Sequence, residues 1–149
     1  MTRDITQEIG PRIAERFPSA GVAATKAGVL VAGEALMDVA PFLRDSPDLA
    51  FDYLSAITAV DYLDHFEVIY QMTSLKHNHS MVLKVRVEGR ENLALPSLTS
   101  LWQGADLQER EVYDLMGISF RGHPNMKRVL LWDGFPGHPL RKDFLYEPS

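Results

Sequence analysis

The sequence predicts an α+β fold: a mainly antiparallel sheet covered by helices on one side, followed by an extended irregular C-terminal tail. Three observations carry that reading. Phe66-Val68-Tyr70-Met72 alternates with Glu67-Ile69-Gln71-Thr73, and Met81-Leu83-Val85-Val87 alternates with Val82-Lys84-Arg86-Glu88, the period of half-buried strands. Apolar residues at helical spacing stand before and after them. The chain from 121 to 149 then gathers four of the nine prolines and three of the ten glycines, which breaks any regular element.

In chain order, Ile5, Ile9, Ile13 and Phe17 recur every four residues and predict a helix over 4–17, with Pro11 inside it and Pro18 ending it. Residues 20–26 and 29–32 read as a short hairpin around Ala27-Gly28. Residues 34–45 predict a second helix, with Leu36, Val39, Ala40 and Leu43 on one side and Pro41 as a kink. The β-rich run 54–62 and the two alternating segments form a meander with one dry face, and the first two helices are its natural cover. Asp106-Leu107-Gln108-Glu109 has the form of a capping box opening a third helix over about 107–116, which Gly117 ends in a left-handed conformation. The chain divides into a body of residues 1–117 and a docking tail of residues 118–149.

Composition excludes several functions. Among 149 residues, 46% are apolar and 23% charged, as in a soluble globular domain, and no apolar run approaches the roughly 20 residues that span a bilayer. The N-terminus lacks the apolar core of a secretory signal, which points to the cytosol. With no cysteine, these residues form no disulfide, thiolate-held iron–sulfur cluster or thiol nucleophile. Gly28 and Gly33 are spaced like part of a phosphate loop, but no Lys-Ser/Thr follows, and nucleotide binding is rejected. The net charge of −5 is uneven: residues 121–149 carry five Lys/Arg against three Asp/Glu, too little positive charge for nucleic acid.

Candidate chemistry centres on the third helix. Glu109 falls on the face shared with Val112, Tyr113 and Met116, where a carboxylate needs a donor or a cation, and Arg110 and Asp114 are spaced for an intrahelical ion pair. Glu111 completes this structural charge network. No catalytic residue is assigned, because no nucleophile or phosphate loop accompanies the carboxylates. His77-Asn78-His79 reads as an exposed turn, and His123 and His138, each between Gly and Pro, as residues that fix backbone direction; no metal ligand is assigned. The tail carries Ile118, Phe120, Val129, Leu130, Leu131, Trp132, Phe135, Leu140, Phe144 and Tyr146, too apolar for a disordered segment and too broken for a core of its own. It either folds back over the body or is covered by another protein, the second being favoured; in isolation it is expected to be mobile, to pair with a second copy or to lie loosely on the body.

Residues 109–118, Glu-Arg-Glu-Val-Tyr-Asp-Leu-Met-Gly-Ile, with Phe120-Arg121-Gly122-His123-Pro124, Lys127-Arg128-Val129-Leu130 and Gly137-His138-Pro139-Leu140-Arg141-Lys142-Asp143-Phe144, resemble the NuoC-type hydrophilic subunit of NADH-quinone oxidoreductase, respiratory complex I. Leu107 departs from that family's pattern, which has an aromatic residue there. The resemblance implies a stand-alone accessory subunit of the peripheral arm, on the cytoplasmic side of the membrane and touching it only through the complex. It would be a non-catalytic part of a proton-translocating enzyme, with flavin, iron–sulfur clusters, NADH and quinone on other subunits and no cofactor of its own. Its partners would be the large quinone-site subunit and the subunit holding the terminal iron–sulfur cluster. Docking residues would be His123, Pro124, Arg128, Trp132, His138, Arg141, Lys142, Asp143 and Phe144, with Arg141-Lys142-Asp143 acting as a charged clamp between Pro139 and Phe144. Two rivals are the same fold in a related complex, such as a membrane-bound hydrogenase, a formate hydrogenlyase or a non-NADH dehydrogenase, and a small hydrolase using Glu109, Glu111 and His123.

Overall fold

The computed structural model describes residues 2–132 and 134–144. Tyr146, counted above among the apolar residues of the tail, lies outside them. In chain order the elements are β1 (Arg3–Asp4), α1 (Thr6–Arg16), β2 (Ala23–Thr25), β3 (Gly28–Val31), a 3₁₀ turn (Gly33–Ala35) leading into α2 (Leu36–Asp45), β4 (Tyr53–Asp61), β5 (His65–Ser74), β6 (His79–Glu88), β7 (Ala94–Pro96), α3 (Ala105–Met116) and β8 (Ser119–Arg121).

The main sheet runs β2-β3-β6-β5-β4, with β1 beside the start of β6. Its hairpins β2/β3, β4/β5 and β5/β6 are antiparallel, whereas β1 and β3 run parallel to β6, so the sheet is mixed. The parallel pair follows from the crossover through α2: the chain leaves β3, forms α2, β4 and β5, and returns beside β3 in the same direction. The in-register pairing of Val68 with Val85 and Tyr70 with Leu83 sets both alternating segments on one dry face, where Phe66, Val68, Tyr70, Met72, Leu83 and Val85 are wholly buried.

Helices α1 and α2 cover that face with the stripes read from sequence, Ile5, Ile9 and Ile13 from the first and Leu36, Val39, Ala40 and Leu43 from the second. Pro11 and Pro41 stand inside their helices without ending them. An interior proline costs about 3 kcal/mol, and burying three isoleucines at about 1.5–3 kcal/mol each offsets it.

Helix α3 and the short strands β1, β7 and β8 differ from expectation. Helix α3 begins at Ala105, and its N-cap position is Gly104 with no side-chain cap, so the capping box does not form. Residues 94–96 and 119–121 make a two-stranded parallel ladder, too short to show a period in sequence. Gly117 does adopt the left-handed conformation, at φ +77°. The core continues past it, because Ile118 and Phe120 are buried with the rest. Beyond β8 the described residues have no regular element, but side chains of the body hold them in place.

Candidate functional site

Helix α3 is fixed at both ends by carboxylates with no exposed surface. Glu109 is 0% exposed and turns toward the loop after β7, accepting hydrogen bonds from Ser97 Oγ at 2.6 Å and the Leu98 amide at 2.7 Å. This is why the capping box fails: its acidic member is taken by a distant amide and hydroxyl. Burial pushes the Glu109 carboxyl above its usual range, and the Leu98 and Ser97 donors offset part of that rise. Tyr70, also wholly buried, has its phenol pushed well above the usual tyrosine value by burial and by the charge of Glu109.

Asp114, in the last turn of α3, organises the tail. Its Oδ1 binds Arg128 Nη1 at 2.8 Å, while its Oδ2 accepts the amides of Val129, Leu130 and Leu131 at 3.1, 2.7 and 3.0 Å. Burial opposes its ionisation, but the three amides and Arg128 outweigh burial and hold the carboxyl below its usual range. The carbonyl of Asp114 accepts again from Arg128 and from His138 Nδ1 at 2.9 Å. The other arm of Arg128 reaches the carbonyls of Phe135 and Gly137. The expected intrahelical pair of Arg110 with Asp114 is absent: Arg110 donates to the carbonyls of Lys127 and Arg128 instead. A side chain at Gly117 would come within 2.7 Å of the His138 ring, so this site needs glycine for space as well as for its φ.

A second tie lies farther along the tail, at residues 141–143. Asp61, 3% exposed at the end of β4, takes both arms of Arg90 at 2.5 and 2.8 Å and the Lys142 amide at 2.8 Å. The Arg90 guanidinium, aided by backbone amide donors, holds the Asp61 carboxyl well below the usual range. Arg90 also pairs with Asp143 at 2.8 Å and lies 4.7 Å from the centre of the Phe66 ring. Arg141 stands 5.2 Å from the same ring, donates to the Arg90 carbonyl and comes within 3.3 Å of Asp143.

The residues read as docking groups therefore divide. Arg128, His138, Arg141 and Asp143 each bond or pair with groups of their own chain, and the His123 side chain, 0% exposed, bonds the Asp106 carbonyl and accepts the Asn125 amide. Pro124, Trp132 and Lys142 face outward, and Phe144 is half-buried, stacked on Phe135 at 6.0 Å. Leu130, Trp132 and Leu140 are about three-fifths exposed, at 59%, 62% and 61%. Glu111 is half-buried on a different face of α3 from Glu109. The hydrolase reading fails on geometry, since neither Glu109 nor His123 offers an exposed side chain to a substrate. His77 and His79 bond the carbonyls of Pro47 and Leu49. Among the described residues no group of three His, Cys, Asp or Glu is placed to hold a metal ion.

Sequence reasoning missed Asp61, Arg90 and Ser97. Only Asp61 left a trace, as an acid closing an otherwise uncharged strand, which calls for a cation somewhere in the fold.

The family described as respiratory-chain NADH dehydrogenase, 30 Kd subunit, matches residues 29–149. The chain belongs to this family. The C subunit of NADH-quinone oxidoreductase from Roseiflexus castenholzii is 48% identical over 118 residues, covering 77% of this chain and 67% of that one. Its counterpart in Salinispora tropica is 36% identical over 148 residues, 92% of this chain and 60% of its own length. This chain thus spans about three-fifths to two-thirds of the length of these relatives. Among solved structures, the trypsin-resistant fragment (1-134) of Nqo5 superposes with a TM-score of 0.60 at 31% identity, covering 77% of this chain and 97% of that one. All the residues that pin the tail lie within the segment the family matches. No helix among the described residues is long and apolar enough to cross a membrane.

Proposed function

We propose that the chain is an accessory NuoC-type subunit in the peripheral arm of a proton-pumping NADH-quinone oxidoreductase, where it supports assembly and carries no redox centre. It docks through the outer face of its tail on the large quinone-site subunit, touches the subunit that bears the terminal iron–sulfur cluster, and reaches the membrane only through the complex. Flavin, NADH, clusters and quinone sit on other subunits. The observation that carries this reading is a tail whose described residues are tied to the body by buried carboxylates while three large apolar side chains stay exposed. Asp114 and Asp61 fix its backbone, while Leu130, Trp132 and Leu140 remain in water. Exposed aromatic and aliphatic side chains on a preformed surface are the kind that anchor protein interfaces, since their ordering has already been done.

The test is affinity purification of the tagged chain from gently solubilised membranes of its native host, with mass-spectrometric identification of the chains that accompany it. The quinone-site and terminal-cluster subunits are expected in stoichiometric yield, and Trp132→Asp should lower that yield about tenfold or more. Recovery of the chain alone would overturn the proposal. So would stoichiometric iron or visible absorbance in the carefully purified single chain.

A further inference from the structure

We propose that the turn between β4 and β5 is a second contact for the partner that covers the tail, with Leu63 as its anchor and a carboxylate of the partner facing Lys142. This inference rests on the functional reading above. Four described non-glycine residues have positive φ: Ala50, Asn78, Asn92 and Leu63. Asparagine tolerates that conformation and alanine is small, but Leu63, at φ +73°, is large and apolar. It is also 61% exposed, so its side chain serves no core.

The conformation is enforced from both sides. The Leu63 amide donates to Asp61 Oδ1 at 2.8 Å, and its carbonyl accepts from Arg90 Nη1 at 3.2 Å. Glycine would meet both bonds without strain. A bulky apolar side chain held there in water is unfavourable in the isolated chain on two counts, and strained positions of this kind collect where a protein binds something.

Continuity with the tail identifies what covers it. Asp61 and Arg90, the two side chains that shape the turn, also hold the Lys142 amide and the Asp143 carboxylate. The turn and residues 142–143 of the tail are therefore held by the same two side chains, and a partner seated on the second meets the first. Tyr62, 44% exposed and stacked on His65, precedes Leu63 in the same turn, and Leu140, 61% exposed, stands two residues before Lys142. Lys142 contributes its backbone amide to Asp61, and its ammonium, exposed and without an ion pair among the described residues, selects an acidic group opposite.

The test is competitive incorporation. Wild-type and variant chains with different tags are co-expressed in the native host, the respiratory complex is isolated through another of its chains, and mass spectrometry reads the ratio of the two forms in it. Leu63→Gly should be depleted about tenfold or more, while the isolated variant melts no lower than wild type because its backbone is relieved. Leu63→Met, which keeps the apolar bulk, should enter nearly as well as wild type. Equal incorporation of Leu63→Gly would overturn the proposal. A melting temperature well below wild type would also overturn it, by showing that the side chain serves its own fold, as would a dimer of the isolated chain that Leu63→Gly dissolves without affecting incorporation. Absence of the wild-type chain from the complex would sink the functional reading and this inference together, whereas equal incorporation sinks the turn alone.

Discussion

Asp114 and Arg128 join the last turn of α3 to the tail through a bond of 2.8 Å, with the carboxylate 0% exposed and its other oxygen closed off by three consecutive amides. One side chain thereby fixes the direction of four residues. Without it, nothing in the local sequence of 128–131 would choose this conformation over the many open to an irregular segment.

Asp114→Ala should therefore act on the tail first. Removing one partner of a buried pair leaves the other uncompensated and typically costs about 3–5 kcal/mol. The melting temperature should fall, and trypsin should cut at Lys127 and Arg128 well before it cuts the sheet. Wild type should resist at both sites. Equal cleavage of the two chains would show that the tail does not depend on this carboxylate.

The two buried acids of α3 predict opposite responses to pH. Glu109 is raised above the ordinary value of 4.5, so above that value the folded state binds more protons than the unfolded one, and stability falls as pH rises through the raised value. Asp114 and Asp61 are lowered, so their contribution is present above the ordinary aspartate value of 3.8 and disappears as pH falls toward their folded values. Urea unfolding at a series of pH values tests the first statement. Relative to Glu109→Gln, wild type should lose stability as pH is raised from about 4.5. A difference between the two chains that does not change with pH would refute it.

Arg90→Gln should be among the most damaging changes that leave the apolar core untouched. The guanidinium spans both oxygens of Asp61, pairs with Asp143 and lies over Phe66. Its loss leaves Asp61 buried without a cation, at a cost of about 3–5 kcal/mol. Lysine should rescue only part, because a single ammonium cannot form the two-armed contact. Denaturant midpoints in the order wild type, Arg90→Lys, Arg90→Gln would support this. A lysine variant as stable as wild type would show that charge alone suffices.

What the sequence made legible was what repeats within a few residues. The strand period of Phe66-Val68-Tyr70-Met72 and the four-residue step of Ile5-Ile9-Ile13 report local geometry directly, and the sheet and two covering helices follow from them. Two readings of α3 failed for a common reason. Glu109 has a local amide within reach as a capping partner, and Arg110 and Asp114 have the right spacing for a pair, worth about 0.2–0.5 kcal/mol on an exposed helix. Buried long-range partners are worth more: Ser97 and Leu98 take Glu109, and Arg128 with three amides takes Asp114. Asp61 with Arg90 illustrates the limit further, since 29 residues separate the partners and no periodicity links them.

Arg141 and Lys142 are neighbours in sequence with opposite expected phenotypes. The Arg141 guanidinium is turned inward over Phe66, donating to the Arg90 carbonyl and lying near Asp143, and only 15% of its side chain is exposed. Arg141→Glu would set a carboxylate beside Asp143 and remove the contact with the ring, so the melting temperature of the isolated chain should drop. The Lys142 side chain is exposed and has no ion pair among the described residues, so Lys142→Glu should leave the melting temperature unchanged. If the tail docks as proposed, that reversal of charge should slow association and weaken it by about threefold to tenfold, with the loss shrinking at high salt. Thermal melts of both variants, with incorporation into the complex measured at two ionic strengths, decide the matter. A destabilised Lys142→Glu, or an Arg141→Glu that melts like wild type, would mean that the inward and outward roles of this pair have been assigned the wrong way round.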